Sequence, residues 1–338
     1  MDSAVLVTGS QGALGAYVLR VLLRRGARVV GFDVSRDQRL STDVSDGLTF
    51  AEGDVLDGRG LAEAMRRHEV ERVIHLAALL APRSARFEDV VRLPDVNVRG
   101  TWTLLSAAKA VGIKHVVLMS SKAMYGHVPG PYGAPEYRPL PEEAVASPRS
   151  LYGASKLMVE LLGSAFAADC QARVVALRLG FAIMPGKGAA HGGPALLTHL
   201  MEQAMRGVGG NVEQGGDELL DIIYAGDIAE AIAAVALRDD VPTGAYNIGS
   251  GYGLAFSAIA TTLSKKYGVS IETGAGLDPF GIGPMYSVLD ISKAQRAFGF
   301  RPRFTLERML DDYRDTLVRL GHLPSPLPEQ GQTHLTRG

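Results

Sequence analysis

Tyr152 and Lys156 stand one helical turn apart in "SLYGASK" (150–156), a spacing that sets two side chains on the same helix face. A phenol with a pKa of about 10 is a poor base at neutral pH, but a nearby ammonium favours the phenolate and lowers that value. Such a pair can take the proton of a hydroxyl group while the carbon beneath it gives up a hydride. The same spacing also fits an ordinary amphipathic turn, so the meaning of the pair depends on whether a hydride acceptor has a place in the chain.

"VTGSQGALG" (7–15) puts Gly9, Gly12 and Gly15 between a β-branched run and a helical pattern. Glycines there permit a tight turn, let the backbone approach a pyrophosphate and turn free helix N–H groups toward that anion. A glycine triplet alone also serves as a plain strand-to-helix turn. Asp33 closes the next strand pattern, where a carboxylate accepts hydrogen bonds from adenosine ribose hydroxyls and repels a 2′-phosphate, which favours NAD over NADP. Arg36 close by keeps NADP open, and Asp33 could also simply cap a solvated loop.

These residues need a scaffold. "AVLVTG" (4–9), "RVVGFD" (28–33), "RVIHLA" (72–77), "HVVLMSS" (115–121) and "RVVALRL" (173–179) alternate with helical patterns at 14–26, 100–112 and 151–163. Such alternation means βαβ units and a parallel sheet. The runs lack a period of two, as expected where helices cover both faces. The expected fold is α/β: a Rossmann-type doubly wound parallel sheet with a smaller C-terminal substrate-binding lobe. Residues 1–180, joined by about 221–250 through the strand-like "AYNIG" (245–249), form the cofactor domain. About 181–220 and 251–320, rich in Gly and Pro, form the lobe, and 322–338 reads as a mobile tail. Within "GDIAEAIAAVAL", Asp227 and Glu230 have the spacing of a capping box.

Composition excludes several partners. The 338 residues carry 35 Lys and Arg against 36 Asp and Glu, a net charge of −1, so no overall field draws the chain to nucleic acid or an anionic membrane. The expected partner is a small molecule. Cys170 is the one cysteine, and no Cys/His cluster suggests a metal. With neither a signal-peptide pattern at the start nor an apolar run of roughly 18 residues, the expected location is the cytoplasm.

Taken in order, the glycine triplet, "GDVLD" (53–57), "HLAA" (75–78), "NVRGT" (97–101), "SSKAMYG" (120–126) and "YGASK" (152–156) resemble the extended short-chain dehydrogenase/reductases, specifically the NAD-dependent epimerase/dehydratase family. The likeness continues to about residue 315. It implies a catalytic set of Ser121, Tyr152 and Lys156. It also implies cofactor contacts at Gly9, Gln11, Gly12, Ala13, Leu14, Gly15, Asp33, Asp54, Val55, Leu76, Ala77, Ala78, Asn97 and Leu179, with Tyr152 and Lys156 beside the nicotinamide ribose. Asn97 read alone is a helix N-cap, and Ala77 and Ala78 alone are core filler. The resemblance further implies a homodimer through helices 97–111 and 151–168.

The likeness breaks where the family holds the nucleotide of a nucleotide sugar. Phe181 replaces an asparagine, Leu220 replaces a diphosphate-binding arginine, "HGGPALL" (191–197) lacks the usual asparagine pair, and 277–290 contains no arginine. Each lost charge-assisted hydrogen bond is worth about 1.5–3 kcal/mol. The expected substrate is therefore a smaller secondary alcohol or ketone (a sugar, sugar acid or lactone), turned over by a net NAD-dependent dehydrogenase. The rivals are a sugar or nucleotide-sugar epimerase or dehydratase that recycles its NAD, and a silent NAD-binding sensor. Candidate substrate residues are Arg83, Lys122, Tyr125, Phe181 and Lys187. The three cations make an anionic substrate reasonable, and each equally fits a solvated surface charge. His75 reads as a packed core histidine.

Overall fold

The computed structural model describes residues 4–36, 47–80, 90–128, 130–186, 193–281, 283 and 286–324. Its first half winds through β1 (Ala4–Thr8), α1 (Ala13–Arg24), β2 (Arg28–Asp33), β3 (Leu48–Glu52), α2 (Gly58–Arg67) and β4 (Val70–His75). A short turn α3 (Arg92–Pro94) passes through a π-helical turn (Asp95–Arg99) into α4 (Gly100–Val111). Then follow β5 (His115–Ser121), α5 (Leu151–Cys170), β6 (Arg173–Leu179), β7 (Phe181–Ile183), α6 (Gly193–Met205), β8 (Gly210–Val212), β9 (Leu219–Leu220), β10 (Ile222–Tyr224) and α7 (Ala225–Ala236). The chain finishes with β11 (Gly244–Ile248), β12 (Leu254–Ala255), α8 (Phe256–Tyr267), β13 (Ile271–Thr273), α9 (Ser292–Phe298) and α10 (Leu306–Arg319).

Among the described residues, seven strands form one sheet in the order β11-β6-β5-β4-β1-β2-β3, and every pairing in it is parallel. Side chains alternate between its faces, as the strand period demands. Val5, Val7, Val117 and Met119 pack under α1 and α7, whereas Ala4, Leu6, Val116 and Leu118 pack under α2, α4 and α5. That double burial explains the unbroken apolar runs of β1 and β5. The sheet is the doubly wound, Rossmann-type architecture expected from the sequence. The edge strand β3 was not anticipated: its "LTFAE" is only half buried and carries little apolar signal.

Phe181, Ile183, Leu197, Met201, Leu220, Phe256, Phe280 and Leu310 belong to a third apolar cluster built mainly from elements after β6, joined by Tyr137. Three two-stranded pieces brace it: β7 with β10, β9 with β12, and β8 with β13. The capping box expected at Asp227 does not form. The helix begins earlier, with Tyr224 as its N-cap, and Asp227 is 3% exposed inside the first turn. Its carboxylate accepts from the N–H groups of Arg303 (2.8 Å) and Phe304 (3.1 Å), tying a distant segment to α7. Glu230 instead faces outward to Arg24 and Arg25. No helix among the described residues is long and apolar enough to cross a membrane.

Candidate functional site

The site lies at the C-terminal ends of the central strands, where the first crossovers of a doubly wound sheet diverge. Gly9 leaves β1 with φ 68°, and a Cβ there would sit 2.6 Å from the N of Ala77. Only glycine lets this loop lie against the Leu76–Ala77 segment that follows β4. Gly15 is pressed against the loop from the helix side, since its Cβ would meet Gly9 O and Ser10 O at 2.5 Å. Gly12 is the N-cap of α1, with no side-chain cap and no acidic residue in the first turn. The helix N-terminus is thereby left open to an anion.

Asp33, at the end of β2, fixes the loop: one carboxylate oxygen accepts from Gln11 N (2.9 Å) and the other from Val34 N (2.8 Å). The Gln11 Oε1 atom is buried with no hydrogen-bond partner among the described residues. Glycine cradle, uncapped helix end, anchored Asp33 and this orphaned acceptor together suit a dinucleotide. Ala13 and Leu179 are buried and Leu14 is half buried, as are Leu76, Ala77 and Ala78. Ala77 N donates to Thr8 Oγ1 (3.3 Å). Asp54 caps its own turn by accepting from Leu56 N (2.9 Å), and Val55 is turned into the core against Gly100.

Ser121 ends β5, while Tyr152 and Lys156 occupy the first turns of α5. Ser150 caps that helix by accepting from Gly153 N (3.0 Å). A Cβ on Gly153 would lie 2.4 Å from Ala123 O, so glycine here lets α5 close onto the 3-10 turn that follows Ser121. The "YGASK" motif contained that signal, but its packing role shows only in three dimensions. The Ser121 hydroxyl faces the Tyr152 phenol and draws its pKa down, while the larger influence, burial, pushes it up to about 12. Lys156 is 5% exposed and donates to Met119 O (2.9 Å). Its ammonium lies 5.6 Å from the centre of the Tyr152 ring. Burial brings its pKa down to about 8.

Asn97 is no N-cap, because the backbone on both sides of it is helical. It sits 1% exposed in the π-helical turn, a device common at functional sites. Its amide oxygen accepts from Leu79 N (2.8 Å), and its amide nitrogen donates to Leu79 O (3.0 Å) and Ser155 Oγ (3.1 Å). Ser155 in turn donates to Tyr152 O (2.7 Å). One side chain thus joins the loop after β4 to the helix that carries Tyr152 and Lys156. His75 is the packed core histidine expected: buried between Thr8 Oγ1 (2.7 Å) and Thr101 Oγ1 (3.1 Å), with its pKa lowered to about 3 chiefly by burial.

A buried network unseen in the sequence backs this wall. Arg178 grips Glu160 of α5 through Nε (2.9 Å) and Nη2 (2.7 Å), and its Nη1 donates to Tyr125 OH (2.8 Å). Ser120, next to Ser121, donates to the same Glu160. Tyr125 was expected to face substrate; instead it is 1% exposed, with its hydroxyl donating to Asn247 Oδ1 (2.8 Å). Phe181 is likewise no open contact. It is 4% exposed and stacked on Phe280 with ring centres 5.9 Å apart. Arg83 and Lys187 lie outside the described residues. Lys122 is half buried directly after Ser121. No group of His, Cys, Asp and Glu among the described residues could hold a metal.

Residues 5–249 match the model of the NAD dependent epimerase/dehydratase family. Curated relatives include a UDP-glucose 4-epimerase of Bacillus subtilis (strain 168), 28% identical over 91% of this chain and 95% of that protein. Another UDP-glucose 4-epimerase, from Azospirillum brasilense, is 31% identical over 79% of this chain and 78% of its own. Among solved structures, UDP-glucose 4-epimerase of Thermus thermophilus in complex with NAD superposes with a TM-score of 0.75 at 27% identity, covering 92% of this chain and 99% of that one. MoeE5 in complex with UDP-glucose and NAD gives a TM-score of 0.77 at 26% identity, with 94% and 99% covered.

Proposed function

We propose, from the premise that the chain belongs to the NAD dependent epimerase/dehydratase family, that it oxidises a secondary alcohol of a sugar or nucleotide sugar and recycles its NAD within one turnover, as an epimerase or dehydratase. The first expectation, a net dehydrogenase, gives way because the curated relatives carry epimerase names. Residues alone could not separate the two, since both chemistries use the same three side chains. The observation that carries hydride transfer is the apposition of Ser121 and Lys156 to Tyr152, and the family match supports recycling of the NAD.

NAD, when bound, supplies the acceptor for the hydride that leaves the substrate carbon. Gly9, Gly12, Gly15 and the open end of α1 would hold its pyrophosphate, and Asp33 would hold the adenosine ribose. Tyr152 takes the proton of the substrate hydroxyl, Ser121 donates a hydrogen bond to that oxygen, and Lys156 holds the phenolate by its charge. Asn97 keeps Tyr152 and Lys156 at a fixed height above the loop after β4. The cofactor domain is assigned to 1–180 with about 221–250, and the substrate lobe to about 181–220 with 251–320. A homodimer through α4 and α5 is supported by Trp102, Met158 and Leu161, apolar residues of those helices that are 60%, 43% and 55% exposed.

A second reading, net oxidation of a small non-nucleotide substrate, is supported by the apolar cluster of Phe181, Leu220 and Phe280. Incubation with excess NAD and candidate sugars separates the two. Product without lasting absorbance at 340 nm, abolished by Tyr152→Phe with NAD binding retained, is the expected result. Stoichiometric NADH would replace it with the second reading, and full activity in Tyr152→Phe would remove both.

A further inference from the structure

We propose that Lys122 receives a carboxylate of the substrate, so that the sugar turned over is a sugar acid with its acid group close to the reacting alcohol. This rests on the hydride-transfer reading above and names its substrate class. Lys122 opens the 3-10 turn capped by Ser121, which puts its Cα about 3.8 Å from that of the residue expected to hold the reacting oxygen.

The ammonium has no hydrogen bond or ion pair with any described residue, although the side chain is half buried. The charges of Asp221 and Glu218, on either side of β9, favour its charged form. Neither carboxylate comes within ion-pairing distance, and both are engaged elsewhere. Asp221 accepts from Ser250 N (2.6 Å), Ser250 Oγ (2.5 Å) and Leu289 N (2.9 Å). Glu218 accepts from Tyr137 OH and from Asp278 N (2.9 Å). Burial lowers the Lys122 pKa despite those two charges. A cation withdrawn from water without a counter-ion is disfavoured, and an anionic ligand corrects that state.

One ammonium matches one carboxylate better than a diphosphate. A diphosphate calls for several donors, whereas Phe181, Leu220 and Phe280 of the lobe are buried in an apolar cluster. A carboxylate two or three bonds from the reacting carbon falls within reach of a side chain that begins next to Ser121.

The test is calorimetric titration of NADH-loaded protein, which cannot oxidise an alcohol, with two matched pairs: D-glucuronate against D-glucose, and UDP-glucuronate against UDP-glucose. In at least one pair the acid is expected to bind about tenfold or more tightly than its neutral twin, the effect of one charge-assisted bond. Lys122→Met should erase that preference and Lys122→Arg should retain most of it, with NADH affinity as the check on folding. The free and UDP-linked pairs separate a free sugar acid from a nucleotide-bound one. Equal binding within both pairs, failure of both acids to bind at millimolar concentration, or a preference that survives Lys122→Met would overturn the assignment. Turnover of a neutral sugar that depends on Tyr152 but ignores the acid would remove Lys122 alone and leave the hydride-transfer reading standing.

Discussion

Replacing Lys156 by Met isolates what its charge does for Tyr152. The ammonium lies 5.6 Å from the phenol ring centre, with no salt-bridge partner among the described residues and only Met119 O as acceptor. At that separation, and at an effective dielectric of about 20, the attraction for a phenolate is about 3 kcal/mol, which is about two pH units of tyrosine ionisation. Burial holds the tyrosine up at about 12, so a phenolate formed at neutral pH depends on a charged ammonium beside it. The sign with pH follows from the lysine itself. Burial brings Lys156 down to about 8, so the charge is fully present below that pH and fades above it. The measurement is the pH–rate profile of the unaltered protein and of Lys156→Met at saturating NAD. Near pH 7 kcat of Lys156→Met is expected about a hundredfold below that of the unaltered protein, and the gap should narrow above pH 8, where the unaltered protein loses the same charge. A ratio of the two rates that stays constant from pH 6 to 10 would refute the reasoning, because a loss of ribose contacts alone does not follow the ionisation of the lysine.

Gly9→Ala should weaken NADH binding more than tenfold, measured by fluorescence titration, because its Cβ collides with the Ala77 backbone. Gly26→Ala, also at positive φ (74°) but with open space around it, should cost only stability, about 1 kcal/mol. His75 is held neutral in the native protein, with a pKa of about 3 against an ordinary 6.5. The unfolded chain therefore binds a proton that the native state refuses, and stability falls as pH drops from about 6.5 toward 3, by about 1.4 kcal/mol per unit. Urea denaturation between pH 4.5 and 6.5 should show a shallower slope in His75→Gln, and an identical slope would clear His75 as the cause. Light scattering should give a dimer mass for the unaltered chain and a monomer for Trp102→Glu with Leu161→Glu; a monomer mass before any substitution removes the homodimer.

What the sequence revealed and what it hid follow from the range of the forces involved. Gly9, Gly12 and Gly15 were legible because a tight turn constrains residue type locally, and Tyr152 with Lys156 because helix geometry alone sets them on one face. Apolar runs foretold β1, β2, β4, β5 and β6, since strands covered on both faces have no freedom to be polar, while the half-buried edge strand β3 had that freedom. Asp227 and Glu230 had the right spacing for a capping box, yet the backbone donors of Arg303 and Phe304 claimed Asp227 from far along the chain. Tyr125 failed for the same reason. Its place in "SSKAMYG" is close to Ser121, but the guanidinium of Arg178, itself anchored on Glu160, draws the hydroxyl away from the cleft. A motif fixes which residues are near a site; long-range partners decide which way each one faces. Lys122 is informative on that ground. It shares Tyr125's motif, but no described residue has claimed its ammonium, and a charge left uncommitted beside Ser121 is better placed to choose a substrate than any side chain already bonded into the wall.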